Sequence, residues 1–259
     1  MMQAIILLEQ VSKRFNLQGG SKSFTALENV SLEVRAGEFL SLLGPSGCGK
    51  TTLLKMMSGL VSLEEGRIRL RGQAIAGVPA GISFVFQEIG LLPWRSVAQN
   101  VALGLQGRTA AEKEALVAKY LGLTGLKDFA RYFPYQLSGG MQQRVGLARA
   151  LAVEPDVLFM DEPFGALDAL TRARLQQELA AIVERTGTTV VFVTHDVDEA
   201  IFLSDRVAVF ASRPGRLQAV VDVPLSRPRQ RTVLRGNADV AKLRDELLSQ
   251  IETPLLEMA

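Results

Sequence analysis

The segment Gly44-Pro45-Ser46-Gly47-Cys48-Gly49-Lys50-Thr51 determines which fold this chain can adopt. It satisfies the pattern G-x-x-x-x-G-K-[ST], in which a glycine-rich turn bends successive backbone N–H groups around phosphate oxygens. The apolar run Phe39–Leu43 comes directly before it, and the helical run Thr51-Thr52-Leu53-Leu54 follows. Lys50 would neutralise phosphate charge, the Thr51 hydroxyl would ligate Mg²⁺, and the helix N-terminus would add a favourable dipole. This strand–loop–helix context predicts a nucleotide site over residues 44–52.

Two further apolar runs, Asp156–Met160 and Thr189–Val193, are short and are followed by polar loops. Both are typical of parallel strands that are covered on both faces. A helical pattern lies between them, with Leu175, Leu179, Ile182 and Val183 on one face of Arg172–Arg185. The alternation predicts an α/β domain whose site lies beyond the carboxyl ends of the strands.

The outer segments of the chain have other patterns. Ile5–Leu8 and Ser31–Val34 predict antiparallel strands at the edge of a larger sheet. Ser96–Gln136 has helical spacing with glycine breaks, and either a helical insertion or a long surface excursion explains it. Asp239–Ile251 predicts an amphipathic helix. We interpret Arg227, Arg229 and Arg231 as part of a solvated linker, with nucleic-acid binding as the alternative.

Composition excludes several classes of protein. The 259 residues carry a net charge of only +2, which lacks the electrostatic footprint of a dedicated nucleic-acid binder. The single cysteine, Cys48, rules out an intramolecular disulfide and indicates a reducing compartment. The sequence has no signal peptide pattern at its start and no apolar run of the roughly 18–20 residues that span a bilayer. We therefore expect a cytosolic globular protein.

Polar residues at the ends of the apolar runs are candidates for catalysis. Asp161 and Glu162 follow Asp156–Met160, where Asp161 can hold Mg²⁺ through water and Glu162 can deprotonate a water that attacks the γ-phosphate. His195 is the only histidine of the chain and follows Thr189–Val193, while Gln87 ends another apolar run. The alternatives are helix-capping acids and a surface histidine. Cys48 is either a small side chain that fills a tight turn or a thiol activated by Lys50.

Leu137-Ser138-Gly139-Gly140-Met141-Gln142-Gln143-Arg144 completes the set of motifs. Together with the phosphate loop and the Asp161-Glu162 strand, it makes the chain resemble the nucleotide-binding subunit of an ABC transporter over nearly its whole length. The resemblance implies a RecA-like P-loop NTPase fold, with a parallel sheet core, an N-terminal antiparallel β subdomain and an inserted helical subdomain. It divides the chain into a core (1–95 and 137–235), a helical subdomain (96–136) and a C-terminal helix (236–259).

The family also implies partners and roles for single residues. Two subunits pack head to tail as a homodimer, so that Ser138, Gly139 and Gly140 contact the ATP of the other subunit and Asp168 lines the seam. Gln87 resembles the lid glutamine that senses Mg²⁺ and contacts the membrane subunit, and His195 resembles the histidine that contacts the γ-phosphate. Phe15 stands where the family stacks an aromatic ring on adenine. Two departures are Met141, where glutamine is common, and Phe15, where tyrosine is commoner.

A narrower resemblance points to the bacterial nitrate, sulfonate and taurine importers. It rests on four segments: Leu91–Arg95, Asn100–Leu105, Phe164–Asp168 and Arg213-Pro214-Gly215-Arg216. It implies an ATP-hydrolysing motor on the cytoplasmic face of the inner membrane, bound to two permease subunits through a coupling helix near Gln87–Arg95. A periplasmic or lipoprotein substrate-binding protein would act indirectly, and nucleic acid is not expected as a partner. A soluble non-transport ATPase or a nucleotide-dependent regulator is the alternative, and sulfonate, taurine, nitrate and a pyrimidine-type precursor all stay open as cargo.

Overall fold

A computed structural model describes residues 4–16, 23–211, 214–230 and 236–252. The chain divides into two compact units, the first made of Met1–Ala80 and Thr189–Ala259 and the second of Gly81–Thr188. The strands are β1 (Ala4–Asn16), β2 (Ser23–Arg35), β3 (Phe39–Leu43), β4 (Glu65–Leu70), β5 (Gln73–Ala74), β6 (Ile82–Val85), β7 (Val157–Asp161), β8 (Thr189–Thr194), β9 (Arg206–Phe210) and β10 (Leu217–Asp222). The α-helices are α1 (Lys50–Met57), α2 (Val97–Val101), α3 (Ala110–Leu123), α4 (Gly139–Ala152), α5 (Ala169–Thr186), α6 (Val197–Leu203) and α7 (Ala238–Glu252).

The first unit contains an antiparallel sheet of four strands in the order β2-β1-β4-β5. The predicted antiparallel pairing of the opening segments is confirmed, since β1 pairs with β2 over most of its length. The predicted edge position is wrong for β1, which pairs with β4 on its other side, whereas β2 is an edge strand of this four-stranded sheet. Ile6, Leu8 and Val11 of β1 are buried while their neighbours are not, so this sheet has one apolar face and packs as a layer of its own.

The first unit also holds the strands that carry the phosphate loop. β3 pairs in parallel with β8 on one side and with β9 on the other. Every residue of these three strands is buried, as expected for a parallel sheet that is covered on both faces. β10 is an exception to the parallel arrangement, because it pairs antiparallel with β9.

The C-terminal part of the first unit packs on α6. Val240, Leu243 and Leu247 of α7 join one buried cluster with Ala200 and Ile201 of α6, on the face that the sequence predicts as apolar.

The expectation of a solvated linker is wrong at Arg227 and Arg229, and Arg231 lies outside the described residues. The Arg229 side chain is 3% exposed, and its guanidinium donates to backbone carbonyls of the last turn of α6. A cation at a helix C-terminus satisfies carbonyls that have no partner within the helix, which explains why these charges leave the solvent.

The second unit combines a parallel strand pair with helices. β6 pairs in parallel with β7, which is buried along its whole length. The apolar stripe predicted for α5 is buried at Leu175, Leu179, Ile182 and Val183. Residues 96–136 form α2, α3 and three short 3-10 turns, and Gly122 lies inside α3 rather than breaking it. The subdomain boundaries stay a prediction.

Within the described part of the chain, no helix has both the length and the apolarity needed to cross a bilayer.

Candidate nucleotide site

The phosphate loop joins β3 to α1 and is shaped by two tightly packed glycines. Gly49, the N-cap of α1, has a left-handed φ of 90°, and a Cβ there would lie 2.7 Å from the Ala26 carbonyl oxygen. A Cβ on Gly44 would lie 2.6 Å from the Phe210 carbonyl oxygen. Gly49 makes no side-chain cap hydrogen bond to the start of α1. Such a helix N-terminus fits a phosphate group.

Lys50 is the buried cation of this loop. Its Nζ donates to the Gly44 carbonyl at 2.7 Å and to the Pro45 carbonyl at 2.9 Å. A phosphate is a charged acceptor and binds an ammonium more strongly than a neutral carbonyl does. The same Nζ lies 3.6 Å from Cys48 Sγ, and Cys48 is 1% exposed. This burial fits the interpretation of Cys48 as a small side chain that fills a tight turn.

Gly215 packs against the phosphate loop, and no pattern in the sequence predicts this contact. Its backbone bonds to β2, with Gly215 N donating to Ala26 O and Glu28 N donating to Gly215 O, both at 3.0 Å. A Cβ on Gly215 would lie 1.9 Å from the Cys48 carbonyl oxygen. Only a glycine fits here. Arg213, in the same quoted segment, lies outside the described residues.

His195 lies at the carboxyl end of β8, beside the start of the phosphate loop. Leu43 of β3 is the register partner of Thr194, so Gly44 and His195 each follow a paired position by one residue. The backbone around His195 is fixed by Asp196, which donates from its N–H to Thr194 Oγ1 and caps α6 by accepting from Glu199 N, each at 3.0 Å. His195 itself is exposed. Gly44 and His195 therefore lie side by side at the carboxyl ends of two neighbouring parallel strands.

Phe15 is an exposed aromatic ring near the end of β1. The ring is 41% exposed and therefore does not belong to the hydrophobic core. Lys13 Nζ lies 5.4 Å from the ring centroid. An exposed ring of this kind can stack on a flat base.

The acidic residues of the second unit lie at the carboxyl end of β7. Asp161 is the buried last residue of the strand, and Glu162 follows with a φ of 41°. A left-handed φ is uncommon for a residue other than glycine and costs about 1–3 kcal/mol, and such strain is concentrated at functional sites. Val85 of β6 is the register partner of Met160, so Gln87 and Glu162 each follow a paired position by two residues. Gln87, Asp161 and Glu162 therefore lie together at the carboxyl ends of β6 and β7.

The Ser138-Gly139-Gly140 segment begins α4 and lies against the start of α5. Ser138 is the N-cap of α4 and accepts from Met141 N at 3.4 Å. A Cβ on Gly140 would lie 2.7 Å from Thr171 Cγ2, in the first turn of α5. Asp168 caps α5 by accepting from Leu170 N at 3.1 Å and Thr171 N at 3.0 Å. Hydrogen bonds from Thr171 lower the pKa of the Asp168 carboxyl.

The segment Gln87–Arg95 is held from two sides. Arg149 of α4 donates to the carbonyl of Gly90 at 2.9 Å, and also to that of Ile89. The fully buried Asn100 accepts from Leu92 N and donates to carbonyls at both ends of the turn that presents Trp94. Trp94 is 71% exposed. This turn therefore holds the Trp94 side chain in solvent, where another molecule can contact it.

No group of three or more histidine, cysteine or acidic side chains within the described ranges could hold a metal ion. Mg²⁺ seldom uses such a group, because it is bound by one or two protein oxygens together with waters and substrate phosphates. The hydroxyl of Thr51 and the carboxylate of Asp161 are oxygen donors of this kind.

Comparisons with known proteins identify the family and the fold. The sequence profile of the ABC transporter family matches residues 27–165. A taurine import ATP-binding protein of Jannaschia sp. is 43% identical, over 95% of this chain and 93% of the relative. A nitrate import ATP-binding protein of Synechococcus elongatus is also 43% identical, over 97% of this chain but only 39% of the relative, which is much longer.

A solved structure has the same fold. It is a dimeric ATP-binding cassette in a post-hydrolysis state, bound to ADP and Pi. It superposes with a TM-score of 0.74 at 33% identity, and the match covers 85% of this chain and all of that one.

Proposed function

The chain belongs to the ABC transporter family, and from this premise we propose that it drives the import of a sulfonate, of taurine or of a small anion similar to nitrate. The chain is an ATPase subunit of an importer. The cargo class rests on the relatives, one of which imports taurine and the other nitrate.

One observation carries the assignment of ATP as the substrate. The loop at Gly44–Thr51 presents the uncapped N-terminus of α1 and a buried Lys50 ammonium to the same small volume. Both groups favour a multiply charged phosphate over any neutral ligand.

The remaining site residues act on ATP in this proposal as the family resemblance assigns them. Residues 44–52 bind the phosphates, and the Phe15 ring stacks on adenine. Glu162 takes the proton from the attacking water, and the His195 side chain contacts the γ-phosphate. Thr51, Gln87 and Asp161 would hold Mg²⁺, which when bound supplies positive charge to the phosphate oxygens.

A homodimer completes the site in this proposal. The N-terminus of α4, capped by Ser138, is a second helix end suited to an anion, and one chain has a single phosphate loop. Ser138, Gly139 and Gly140 would meet the ATP of the partner subunit, with Asp168 at the seam. The dimeric state of the solved cassette supports this arrangement.

The proposed complex contains two permease subunits and places this chain at the cytoplasmic face of the membrane as a peripheral subunit. The exposed Trp94 turn supports the segment Gln87–Arg95 as the place where a permease coupling helix docks. The domain scheme that goes with it is a core of 1–95 and 137–235, with 96–136 as a helical subdomain.

Steady-state ATP hydrolysis by the purified chain tests the catalytic roles. Glu162→Gln should abolish turnover while ATP still binds, and with ATP and Mg²⁺ it should give a dimer by light scattering. Glu112→Gln is the matched control, because Glu112 caps α3 at an exposed position and glutamine also serves in a capping box. Wild-type turnover in Glu162→Gln would remove Glu162 from the mechanism, and a monomer at every concentration would contradict the dimer.

Deletion of the gene tests the cargo. Growth and uptake would be measured on taurine, other alkanesulfonates, sulfate and nitrate, with rescue by the wild type or by Glu162→Gln. Selective loss on one substrate, restored only by the wild type, would identify the cargo and link hydrolysis to import. Unchanged uptake of taurine, sulfonates and nitrate would refute the proposed cargo class.

A further inference from the structure

Helix α6 begins two residues after His195, and both of its ends are held by the C-terminal part of the chain. At its C-terminal end, Arg229 Nη1 donates to the carbonyls of Ile201 at 3.0 Å, Phe202 at 3.2 Å and Ser204 at 2.6 Å. Arg227 Nη2 donates to the carbonyl of Leu203 at 2.6 Å. Four consecutive carbonyls at this helix end are therefore satisfied by two guanidinium groups.

Arg229 is itself fixed in place. Its Nε and Nη2 donate to the Leu225 carbonyl at 3.2 and 3.0 Å, and its side chain is 3% exposed. A planar guanidinium held by this many acceptors has a single orientation, so the position of the helix end is set by Arg229 rather than by solvent.

The other end of α6 is linked to α7. Arg244 of α7 pairs with Asp198 in the first turn of α6, and Val240, Leu243 and Leu247 pack against Ala200 and Ile201. Glu199 in the same turn bonds to Thr194, the residue before His195. Helix α6 thus connects Arg229, at its C-terminal end, to the backbone of His195, which precedes its N-terminal end.

We propose that Arg229 is a positioning residue for His195, acting through α6. The inference rests on the proposed contact of His195 with the γ-phosphate. Arg229 donates to the carbonyls of Ile201, Phe202 and Ser204 at the C-terminal end of α6, so its loss should displace this helix end and with it His195.

The imidazole resonance gives a readout that does not depend on turnover. His195 is the only histidine of the chain, so its C–H signal is identified in an NMR spectrum without assignment. Arg229→Gln should shift or broaden this signal in the nucleotide-free protein, and Arg229→Lys, which keeps a cation at the helix end, should restore part of it. Arg108→Ala is the matched control and should leave the signal unchanged. It removes an exposed ion pair between Arg108, which precedes α3, and Glu112 of α3, and these side chains are about as exposed as those of Arg244–Asp198.

Kinetics supply the second readout. Arg229→Gln should lower kcat about 10-fold, since a misplacement of about 1 Å caused by a remote change can cost up to about 100-fold. The KM for ATP should stay within about 2-fold of the wild type, and the loss should vanish in a His195→Ala background, as expected for residues that act as a unit.

Each outcome has one meaning. An unchanged imidazole signal, or the same loss of kcat with and without His195, would overturn the inference. If His195→Ala keeps the wild-type kcat, the proposed role of His195 fails first, which distinguishes the two failures. Should Arg229→Gln not fold, Arg229→Lys takes its place, because an ammonium keeps the cation but cannot make all the bonds of Arg229 Nε, Nη1 and Nη2. An imidazole signal in Arg229→Lys that is identical to the wild-type signal would then refute the proposal.

Discussion

Gly215→Ala should damage ATP binding although Gly215 has no place in the phosphate-loop motif. The added Cβ would lie 1.9 Å from the Cys48 carbonyl oxygen and 2.9 Å from the Ala26 carbonyl oxygen, where real contacts essentially never fall below 3.0 Å. Both obstacles are backbone atoms and cannot rotate away. One of the two segments must therefore move by about 1 Å, and overpacking of this kind costs about 1–3 kcal/mol.

We expect Gly215→Ala to reach the upper end of that range, since no flexible side chain absorbs the strain. For a chain of this size, about 3 kcal/mol corresponds to a fall of about 6–12 °C in the thermal midpoint. If the phosphate loop moves instead, ATP affinity should fall about 10- to 100-fold, the effect of a misplacement near 1 Å. Differential scanning calorimetry and titration calorimetry with ATP measure the two quantities.

Gly122→Ala is the control with the opposite sign. Nothing lies within 4 Å of a Cβ at Gly122, which is inside α3. Alanine there should raise stability by about 0.5–1 kcal/mol, because glycine is the poorer helix former. A Gly215→Ala protein that melts within 2 °C of the wild type, roughly the shift for 1 kcal/mol, and binds ATP normally would refute the reasoning.

Three further predictions concern stability. Asn100→Ala should lower the free energy of unfolding by about 2–4 kcal/mol in urea titrations, because Leu92 N and the Arg95 carbonyl both lose the amide that partners them. A loss below about 1 kcal/mol would contradict this. Burial raises the pKa of Glu38 above 4.5 despite its bonds to Arg35 N and Arg206, so its contribution to stability is full below pH 4.5 and is lost as the pH rises through the folded pKa. The stability of the wild type minus that of Glu38→Gln should therefore fall above pH 4.5, and a flat difference would be inconsistent with a raised pKa. Asp168→Asn should keep the thermal midpoint and Asp168→Ala should lower it, because asparagine caps a helix as well as aspartate does; equal midpoints would show that the cap on α5 contributes nothing.

Much of the fold follows from short sequence patterns. The runs that form β3, β7 and β8 are apolar at nearly every position, and only a strand covered on both faces uses such a run. The glycine spacing of the phosphate loop is equally local, so it identifies the strand before it and the helix after it. The strand-end positions of Glu162 and His195 then follow from the runs that precede them.

The remainder depends on contacts between distant segments. Arg229 has the sequence context of a linker, and only the position of the α6 carbonyls makes it a buried residue. Gly215 lies in a turn between β9 and β10, and nothing nearby in sequence indicates that Cys48 is its neighbour. The family resemblance implies the antiparallel subdomain, but local patterns do not predict that β1 lies between two strands, because its pairing with β4 joins segments more than 50 residues apart.

The contact between Gly215 and the phosphate loop has a consequence for the order of events during synthesis. β3 has β8 and β9 as its two neighbours, so both flanks of the loop-bearing strand come from residues after 188. At the usual rate of about 5–20 residues per second, Gly215 follows Lys50 out of the ribosome by roughly 10–30 s. Throughout that interval the nascent chain holds the whole phosphate-binding sequence and no folded site. Cellular ATP therefore cannot assist the folding of the N-terminal half. It begins to stabilise this protein only after Gly215 has packed against the phosphate loop.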